Sequence, residues 1–382
     1  MLYIKKYSDW IIRIIILGFG ISLLMPIQSR APIGIDKVVI TKKPQVCVHT
    51  RLIDEVFEWK IQHSLELVRE MGADTIVEFF PWAYIEAVED QYNWEPVDRI
   101  VRHARNQGIK IIARTGFVPD WARPETDDAF STLNYLPEES YDDFKDFVVA
   151  FAERYQGSID HLIIWNEPNL AFEWGYQNVD AQQYLKLLKT VYEPLKQANP
   201  QITILAGALA PTLEPRGSTN GLNDLVYLED LMQAGAGDYF DALAIHTYGF
   251  TESPEAAPAE NTLNFRRAEL LFDILNDYDP KPIYITESGW NDDPRWIYGI
   301  KPSERAIYTI RAFEWAENQW PQVEKLCIWA FRYPAPTYRY PDYFTLVTPG
   351  FITKPIYYAL QNYALGKTEE EPLWLDPPIE VP

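Results

Sequence analysis

The chain contains little cysteine and little histidine. It has two cysteines, Cys47 and Cys327, and five histidines in 382 residues. Two cysteines exclude a disulfide-stapled framework, and their separation offers no structural zinc site. No two histidines lie four positions apart, which is the helical spacing of a two-histidine metal site. The sequence therefore predicts that the protein binds no metal.

The chain also lacks the glycine-rich strings that cradle phosphate groups. Neither G-x-G-x-x-G nor G-x-x-x-x-G-K-[ST] occurs in it. The first string marks a dinucleotide-binding doubly wound sheet, and the second marks a P-loop. Their absence disfavours the doubly wound sheet, which is the alternative fold, and we predict that the protein uses no cofactor.

Basic side chains are scarce relative to acidic ones. The chain has 34 Lys and Arg against 55 Asp and Glu, a formal net charge of -21. Such a surface repels nucleic acid, so no nucleic-acid partner is predicted. Aromatic residues, by contrast, are abundant at 14% of the chain, with 13 Trp and 24 Tyr. Rings of this kind fill ordinary cores and also offer flat faces on which sugars stack.

A short apolar run near the N-terminus predicts export. Lys5, Lys6 and Arg13 precede an uncharged run from Ile14 to Ile27, which is the order of a signal sequence. The run is shorter than the ~20 residues of a spanning helix, which favours a cleaved signal, but no small-residue cleavage site follows it, which favours a retained anchor. We expect residues 1–30 to be a signal peptide or membrane anchor that contacts the membrane during export, and the protein to be extracytoplasmic.

The body of the chain predicts one catalytic domain over residues 31–366, followed by an acidic, proline-rich tail over residues 367–382. From about Val38, β-branched strands alternate with amphipathic helices, which is the pattern of βα units around a parallel sheet. Eight such units predict a (β/α)8 TIM barrel. The predicted strands are 45–50, 75–80, 110–115, 161–166, 203–208, 242–246, 282–286 and 325–331.

Three of the predicted helices have clear limits in the sequence. Apolar residues recur at helical spacing over residues 140–155, and the stretches 180–198 and 303–318 have the same periodicity. Asp180 and Ser303 are the expected N-caps of the last two. The final helix is expected near residues 356–366.

Two predicted strands end in a glutamate. Strand 4 ends in Trp165-Asn166-Glu167-Pro168, and strand 7 ends in Thr286-Glu287-Ser288-Gly289-Trp290. The carboxyl ends of barrel strands meet at one rim, so Glu167 and Glu287 can face each other there. A pair of carboxyl groups ~5–5.5 Å apart supports glycoside cleavage with retention, and a pair roughly 6.5–9.5 Å apart supports inversion. The sequence leaves both distances open.

These two strings together resemble the retaining β-glycosidases of clan A, the cellulase superfamily, in particular families 39 and 5. The resemblance covers roughly residues 45–366. It implies a glycosidase that cleaves a β-linked polysaccharide or oligosaccharide through a covalent glycosyl-enzyme intermediate. It further implies that Glu167 is the general acid/base, that Glu287 is the nucleophile, and that Asn166 binds the 2-hydroxyl of the sugar.

Other residues at predicted strand ends are candidates for substrate binding. His246 and Tyr248 after strand 6 and Trp329 on strand 8 resemble residues that line the site in the clan, with Trp329 as a platform for the sugar. A Tyr248 hydroxyl that donates to Glu287 would keep that carboxylate ionised. The remaining candidates are Arg114 and His49 at strand ends, Trp290 beside Glu287, and Trp82, Trp121 and Tyr333 as stacking groups on rim loops.

Two other functions remain open at this level. One is a non-catalytic glycan-binding surface protein built on the same barrel, and the other is a transglycosylase, in which a sugar hydroxyl replaces water. Cys47 and Cys327 fall on strands 1 and 8, which are neighbours in a closed barrel. Inward residues of adjacent barrel strands belong to different layers, so we expect buried free thiols, although export would permit a disulfide.

Overall fold

The protein folds as a closed barrel of eight parallel strands in sequential order, with helices between the strands. The computed structural model describes residues 37–123 and 132–367. The predicted signal or anchor segment, and all but the first residue of the predicted tail, lie outside these ranges. The predicted (β/α)8 TIM barrel is confirmed. The strands are β1 Val46–His49, β2 Thr75–Pro81, β3 Lys110–Gly116, β4 His161–Ile163, β5 Thr203–Leu209, β6 Ala242–Tyr248, β7 Ile283–Gly289 and β8 Val323–Ile328.

Nine α-helices occur in the described ranges. They are α1 Glu58–Met71, α2 Trp82–Ile85, α3 Glu95–Gln107, α4 Tyr141–Arg154, α5 Ala181–Ala198, α6 Asp224–Gln233, α7 Ala268–Tyr278, α8 Pro302–Gln319 and α9 Pro355–Leu365. Five short 3-10 turns lie at Asp120–Ala122, Glu138–Ser140, Ala236–Tyr239, Phe265–Arg267 and Tyr340–Tyr343. No helix in this part of the chain is both long enough and apolar enough to cross a membrane.

One of the two predicted helix caps is correct. The Asp180 carboxylate accepts a hydrogen bond from the Gln182 backbone N–H at 2.9 Å and begins α5. The prediction for Ser303 is wrong, because α8 begins one residue earlier at Pro302, with Lys301 as its N-cap. Proline suits the first helical position, where its fixed φ fits and its missing N–H would have had no partner.

The strands are buried on both faces. Their outward side chains pack under the helices in one large apolar cluster. Their inward side chains fill the lumen as a second cluster of Cys47, Val77, Ile112, Ile163, Leu205, Ala208, Ala242, Ala244, Tyr284 and Cys327. This arrangement explains why the strand sequences read as nearly continuous apolar runs.

The expectation of free thiols is wrong, because Cys47 and Cys327 form a disulfide. The two residues are direct partners in the register of β1 and β8, with their Cα atoms 4.1 Å apart. Both side chains point into the lumen at the same level. We had expected different levels, because inward residues of adjacent barrel strands usually belong to different layers. The bond joins the first strand of the barrel to the last, 280 positions apart.

Candidate active site

Glu287 lies within β7 at the carboxyl end of the barrel. Its register partner on β6 is His246, and the pairing of β6 with β7 shifts between Ile245 and His246. A second shift lies between Ile285 and Ser288 in the pairing with β8. Such irregularities turn strand side chains, and they are common beside active sites. Here they bring the Glu287 side chain to the cavity at the mouth of the barrel.

Glu167 follows β4 in a tightly turned segment. β4 ends at Ile163, three residues earlier than predicted, because Trp165 and Glu167 adopt left-handed backbone conformations with φ of 73° and 44°. The Glu167 backbone N–H still donates to the Ala208 carbonyl on β5 at 3.1 Å. Left-handed conformations cost free energy in residues other than glycine and concentrate at functional sites. The segment thereby holds the Glu167 side chain in the cavity wall.

The two carboxyl groups lie close together around one histidine. His246 Nδ1 is 2.6 Å from Glu167 Oε1 and 3.6 Å from Glu287 Oε2. Ligand-type atoms of these three residues all lie within 4.8 Å of one another. Across the described ranges, this is the group of His, Cys, Asp and Glu side chains close enough to bind an ion. A cation there would compete with Arg114, which already neutralises Glu287 at 3.0 Å.

Glu287 receives one hydrogen bond on each oxygen. The Tyr248 hydroxyl donates to Oε2 at 2.7 Å, and Arg114 Nη1 donates to Oε1 at 3.0 Å. The same Arg114 nitrogen donates to Asn166 Oδ1 at 2.8 Å, so the arginine links the Asn166 amide to Glu287. Donors of this kind stabilise the ionised carboxylate and fix its orientation.

The two predicted histidines lie behind the carboxyl groups and not in the cavity wall. His246 is 1% exposed, and His49 is fully buried. His49 Nδ1 lies 2.9 Å from the Thr50 carbonyl oxygen, and its Nε2 lies 3.7 Å from Glu287 Oε1. Neither imidazole lines the cavity, and their contact with substrate stays a prediction. His49 ends β1, whereas His246 lies within β6 at the point where the pairing with β7 shifts.

The predicted tryptophans divide into wall and core residues. Trp329 lines the cavity, and its ring centroid lies 4.5 Å from that of His49. Trp290 also borders the cavity but is 1% exposed, and its Nε1 donates to the Glu252 carbonyl at 2.8 Å. Trp82 is fully buried, and Trp121 packs on it with ring centroids 5.4 Å apart. Neither of these last two residues lines the cavity.

The two carboxyl groups have different surroundings, and these affect their pKa values differently. Burial raises the pKa of Glu167 to about 7, although Arg114 opposes the rise. Burial also raises the pKa of Glu287, and His246, Arg114 and the Tyr248 hydrogen bond all oppose that rise. Burial lowers the pKa of His246 to about 4, so this imidazole is neutral near pH 7. Glu167 therefore retains a proton near neutrality, while Glu287 has more groups that favour its charge.

The cavity has a volume of about 450 Å³ and contains residues that sequence reasoning missed. Its aromatic walls include Phe117, Phe172, Phe250, Trp296, Tyr340 and Phe344, and its polar residues include Arg51, Asn134 and Glu173. Most of them lie on long loops, which have no periodicity from which a direction could be predicted. The only sequence signal was the high aromatic content together with the length of the loops that follow strands.

Residues 88–343 match a family model described as the glycosyl hydrolase catalytic core. No curated protein matches the chain.

Solved structures share the fold at low sequence identity. One is a family 39 glycoside hydrolase from the gut symbiont Bacteroides cellulosilyticus WH2, at 21% identity and a TM-score of 0.69, with 86% of this chain and 65% of that chain covered. A monomeric β-xylosidase from Caulobacter crescentus CB15 matches at 18% identity and a TM-score of 0.61, over 85% of this chain and 69% of that chain. A GH5_18 protein from Bifidobacterium longum subsp. infantis matches at 13% identity and a TM-score of 0.63, over 84% and 78%. The present chain thus spans slightly less than two thirds of the first of these structures.

Proposed function

The chain belongs to the glycosyl hydrolase catalytic core family, and on that basis we propose that this glycosidase cleaves a β-linked glycan with net retention of anomeric configuration. The observation that carries the proposal is the spacing of Glu167 and Glu287, whose oxygen atoms approach within 4.8 Å. A retaining enzyme needs carboxyl groups ~5–5.5 Å apart, and an inverting enzyme needs room for a water molecule between them.

The hydrogen bonds support Glu287 as the nucleophile. A nucleophile must be ionised, and Glu287 accepts hydrogen bonds from the Arg114 guanidinium and the Tyr248 hydroxyl. In the first step a Glu287 oxygen attacks the anomeric carbon as the bond to the leaving oxygen breaks, and a glycosyl ester forms. Arg114 and Tyr248 also hold the carboxylate in one orientation for this attack.

The raised pKa supports Glu167 as the acid/base. At neutral pH a carboxyl with a pKa of about 7 is protonated in a large fraction of molecules, so it can donate that proton to the leaving oxygen. In the second step the ionised Glu167 takes a proton from water as the water oxygen attacks the anomeric carbon. The ester bond breaks, Glu287 is released as a carboxylate, and Glu167 is again protonated.

The cavity walls support a sugar as the ligand. Trp329 and Tyr248 line the cavity together with Glu287, and further aromatic side chains belong to the same lining. Aromatic faces stack on the C–H faces of sugar rings, while the neighbouring polar groups hydrogen-bond hydroxyls. Neither the sugar nor its linkage follows from these contacts, so the proposal names β-linked glycans as a class.

An extracytoplasmic location is part of the proposal. The Cys47–Cys327 disulfide supports it, because disulfides persist in oxidising compartments and are rare in the cytosol. The basic and apolar order of residues 5–27 supports it independently.

Variants at the two carboxyl groups test the roles directly. The wild type is first assayed on a panel of β-linked oligosaccharides and aryl glycosides. Glu167→Gln is expected to lower kcat/KM on the best oligosaccharide by roughly 10²–10⁴-fold, and Glu287→Gln by more. Glu153→Gln, at an exposed position on α4, is the matched control and should retain wild-type activity.

Azide rescue on an aryl glycoside then assigns the roles. Azide should restore the activity of Glu167→Ala and give a β-glycosyl azide, because azide attacks the intermediate from the face that Glu167 occupied. Azide should restore the activity of Glu287→Ala and give an α-glycosyl azide, because azide replaces the missing nucleophile. The opposite pairing of products, or full activity of both Gln variants, would contradict the proposal.

A further inference from the structure

A continuous series of aromatic rings leads away from the proposed nucleophile along one wall of the cavity. The Tyr248 hydroxyl donates to Glu287 at 2.7 Å, and the Tyr248 ring centroid lies 5.5 Å from that of Phe344. The Phe344 centroid lies 6.2 Å from that of Trp296, and Trp296 stacks on Tyr340 with centroids 5.0 Å apart and an interplanar angle of 19°. All four rings line the cavity. The Trp296–Tyr340 stack is therefore two ring contacts from the tyrosine that bonds Glu287.

The Trp296–Tyr340 stack reaches solvent and is not part of the core. Tyr340 is 46% exposed, and Trp296 is half-buried. Tyr298, whose ring centroid lies 5.2 Å from that of Trp296, is 43% exposed. Three adjoining rings thus leave apolar surface in contact with water, where a ligand could cover it with a gain in free energy. A sugar ring has a C–H face that suits such a surface.

The two loops that carry the stack, those after β7 and β8, are fixed to each other and to α8. The Arg305 guanidinium on α8 is buried, and it donates to Asp292 Oδ2 and to the Thr345 carbonyl, both at 3.2 Å. Asn291 Nδ2 donates to the Tyr340 carbonyl at 2.8 Å. These bonds join one loop to the other directly beside the stacked rings. A surface that is ordered before its ligand arrives loses less conformational entropy on binding.

The stack is displaced from the proposed point of cleavage. The sugar that forms an ester with Glu287 must lie against that carboxylate, where Tyr248 and Trp329 belong to the lining. Within the described ranges, neither ring of the stack contacts the ring of Tyr248 or of Trp329. A sugar that covers the stack is therefore a different unit of the glycan chain.

We propose that the Trp296–Tyr340 stack is a remote subsite, which binds a sugar beyond the two that the cleaved bond joins. The preferred substrates are then β-linked oligosaccharides of three or more units and polysaccharides, ahead of disaccharides. The inference rests on the proposed function for its catalytic meaning. Binding energy from sugars that do not react can be used at the reacting bond, so shortened substrates lose kcat as well as affinity.

A chain-length series tests the subsite in the active enzyme. Rates are measured on an aryl glycoside of one sugar and on the di- to hexasaccharides of the β-linked glycan that the wild type cleaves best. Trp296→Ala is expected to lower kcat/KM on trisaccharides and longer chains by on the order of 10-fold, and to change it by less than about two-fold on the aryl glycoside. Tyr340→Ala should have an effect of the same kind. Trp296→Phe keeps an aromatic face and should retain most of the wild-type value.

Tyr338→Ala is the matched control. Tyr338 lies on the same loop as Tyr340, is 83% exposed and does not line this cavity. The variant should keep the wild-type dependence on chain length. Circular dichroism and thermal unfolding establish that each variant is folded, and a Trp296→Ala protein that does not fold leaves the comparison to Tyr340→Ala.

Two kinetic results would overturn the inference. One is an equal loss of kcat/KM on the aryl glycoside and on the long oligosaccharides, because the stack would then act only by supporting the catalytic groups. The other is an unchanged dependence on chain length in folded Trp296→Ala and Tyr340→Ala.

Binding to an inactive variant distinguishes this inference from the proposed function. Glu287→Gln is titrated by calorimetry with β-linked xylo-, manno-, galacto- and gluco-oligosaccharides, from disaccharides to hexasaccharides. Affinity for one of these series should rise with chain length, and Glu287→Gln/Trp296→Ala should lose that rise. If this pattern is found but the wild type cleaves no β-linked substrate, the proposed function fails and the subsite stands. If the wild type cleaves glycans but affinity does not depend on Trp296, the subsite fails and the proposed function stands.

Discussion

Glu167 and Glu287 are the same residue type with different neighbours. Glu287 accepts hydrogen bonds from Arg114 and Tyr248, whereas the Glu167 carboxyl contacts the buried, neutral His246. Burial raises the pKa of both groups, but only Glu287 has donors that compensate its charge strongly. Two carboxyl groups whose environments differ in this way can divide the roles of acid and nucleophile.

The pH profile of kcat/KM should be bell-shaped. Glu167 must be protonated to act as the acid, and its pKa is about 7, so activity should fall as pH rises through about 7. Glu287 must be ionised, and burial raises its pKa above the ordinary value, so activity should fall on acidification at a higher pH than for an exposed glutamate. Initial rates between pH 4 and 9, with unfolding followed in parallel, measure both limbs. Activity that keeps rising above pH 8 would exclude Glu167 as the acid.

Tyr248→Phe removes the hydroxyl that donates to Glu287 Oε2 at 2.7 Å. A hydrogen bond to a charged group contributes roughly 1.5–3 kcal/mol, so kcat should fall by roughly 10- to 150-fold. The loss of the donor also raises the Glu287 pKa, so the acid limb should move to higher pH. Steady-state kinetics across pH test both effects, with Tyr176→Phe at an exposed site as the control. An unchanged acid limb would show that Tyr248 does not stabilise the carboxylate.

At the scale of elements, irregular strand ends place the site. The register shifts of β6, β7 and β8 and the left-handed residues after β4 bring the Glu167 and Glu287 side chains together. Close packing beneath the rim supports these elements. Gly249, directly after β6, lies under the buried Trp290 ring, and a Cβ there would lie 1.8 Å from Trp290 Cε2. The Trp290 ring therefore depends on glycine at this position.

Gly249→Ala should displace the Trp290 ring and destabilise the loop after β7. Overpacking of this kind costs about 1–3 kcal/mol of the free energy of unfolding. Chemical denaturation measures the cost, and intrinsic tryptophan fluorescence reports the displaced ring. Gly350→Ala is the control, because its added Cβ would meet only Thr348 Oγ1 at 3.9 Å. Equal stability of the two variants would contradict this packing.

The elements differ in how far the sequence predicts them. The strand limits of β2, β3 and β5 were correct to within one residue, because β-branched and apolar runs with clear turn signals bound them. The predicted end of β4 lies three residues beyond the observed one. Trp165 and Glu167 are not residue types that predict a left-handed backbone conformation, so no residue pattern indicated this end. The prediction of Ser303 as an N-cap was wrong because Pro302, which favours the first position of a helix, begins α8.

The candidate site was predictable only where residues end strands. Glu167, Glu287, Asn166, Arg114 and Tyr248 converge because all of them lie at the carboxyl end of the barrel. The depth of His246 was not predictable, because period-two alternation fails where the pairing of β6 with β7 shifts between Ile245 and His246. Phe172 and Glu173 were missed because their loop has no periodicity at all.

At the scale of the whole molecule, one disulfide bond links the first and last strands of the closed barrel. Cys47 on β1 and Cys327 on β8 are register partners, so the disulfide joins the two ends of the strand sequence. The sequence did not reveal this bond, because the register between the first and last strands depends on the closure of the entire barrel. A cross-link between such distant positions restricts the unfolded chain strongly.

The Cys47→Ala/Cys327→Ala variant should be less stable than the wild type by about 2–5 kcal/mol. Thermal and denaturant unfolding under non-reducing conditions measure the difference. A reducing agent should lower the free energy of unfolding of the wild type to near that of the variant. It should not change the stability of the variant. Two alkylatable thiols in the denatured, unreduced wild type would contradict the bond.

The central claim is that Glu167 and Glu287 cleave a β-linked glycan with retention. Time-resolved ¹H NMR of the hydrolysis of the best oligosaccharide from the panel tests it most directly, because the first anomer is visible before mutarotation. The account predicts that the β-anomer of the newly formed reducing sugar appears first and that the α-anomer follows slowly. Initial appearance of the α-anomer would show inversion and contradict the account.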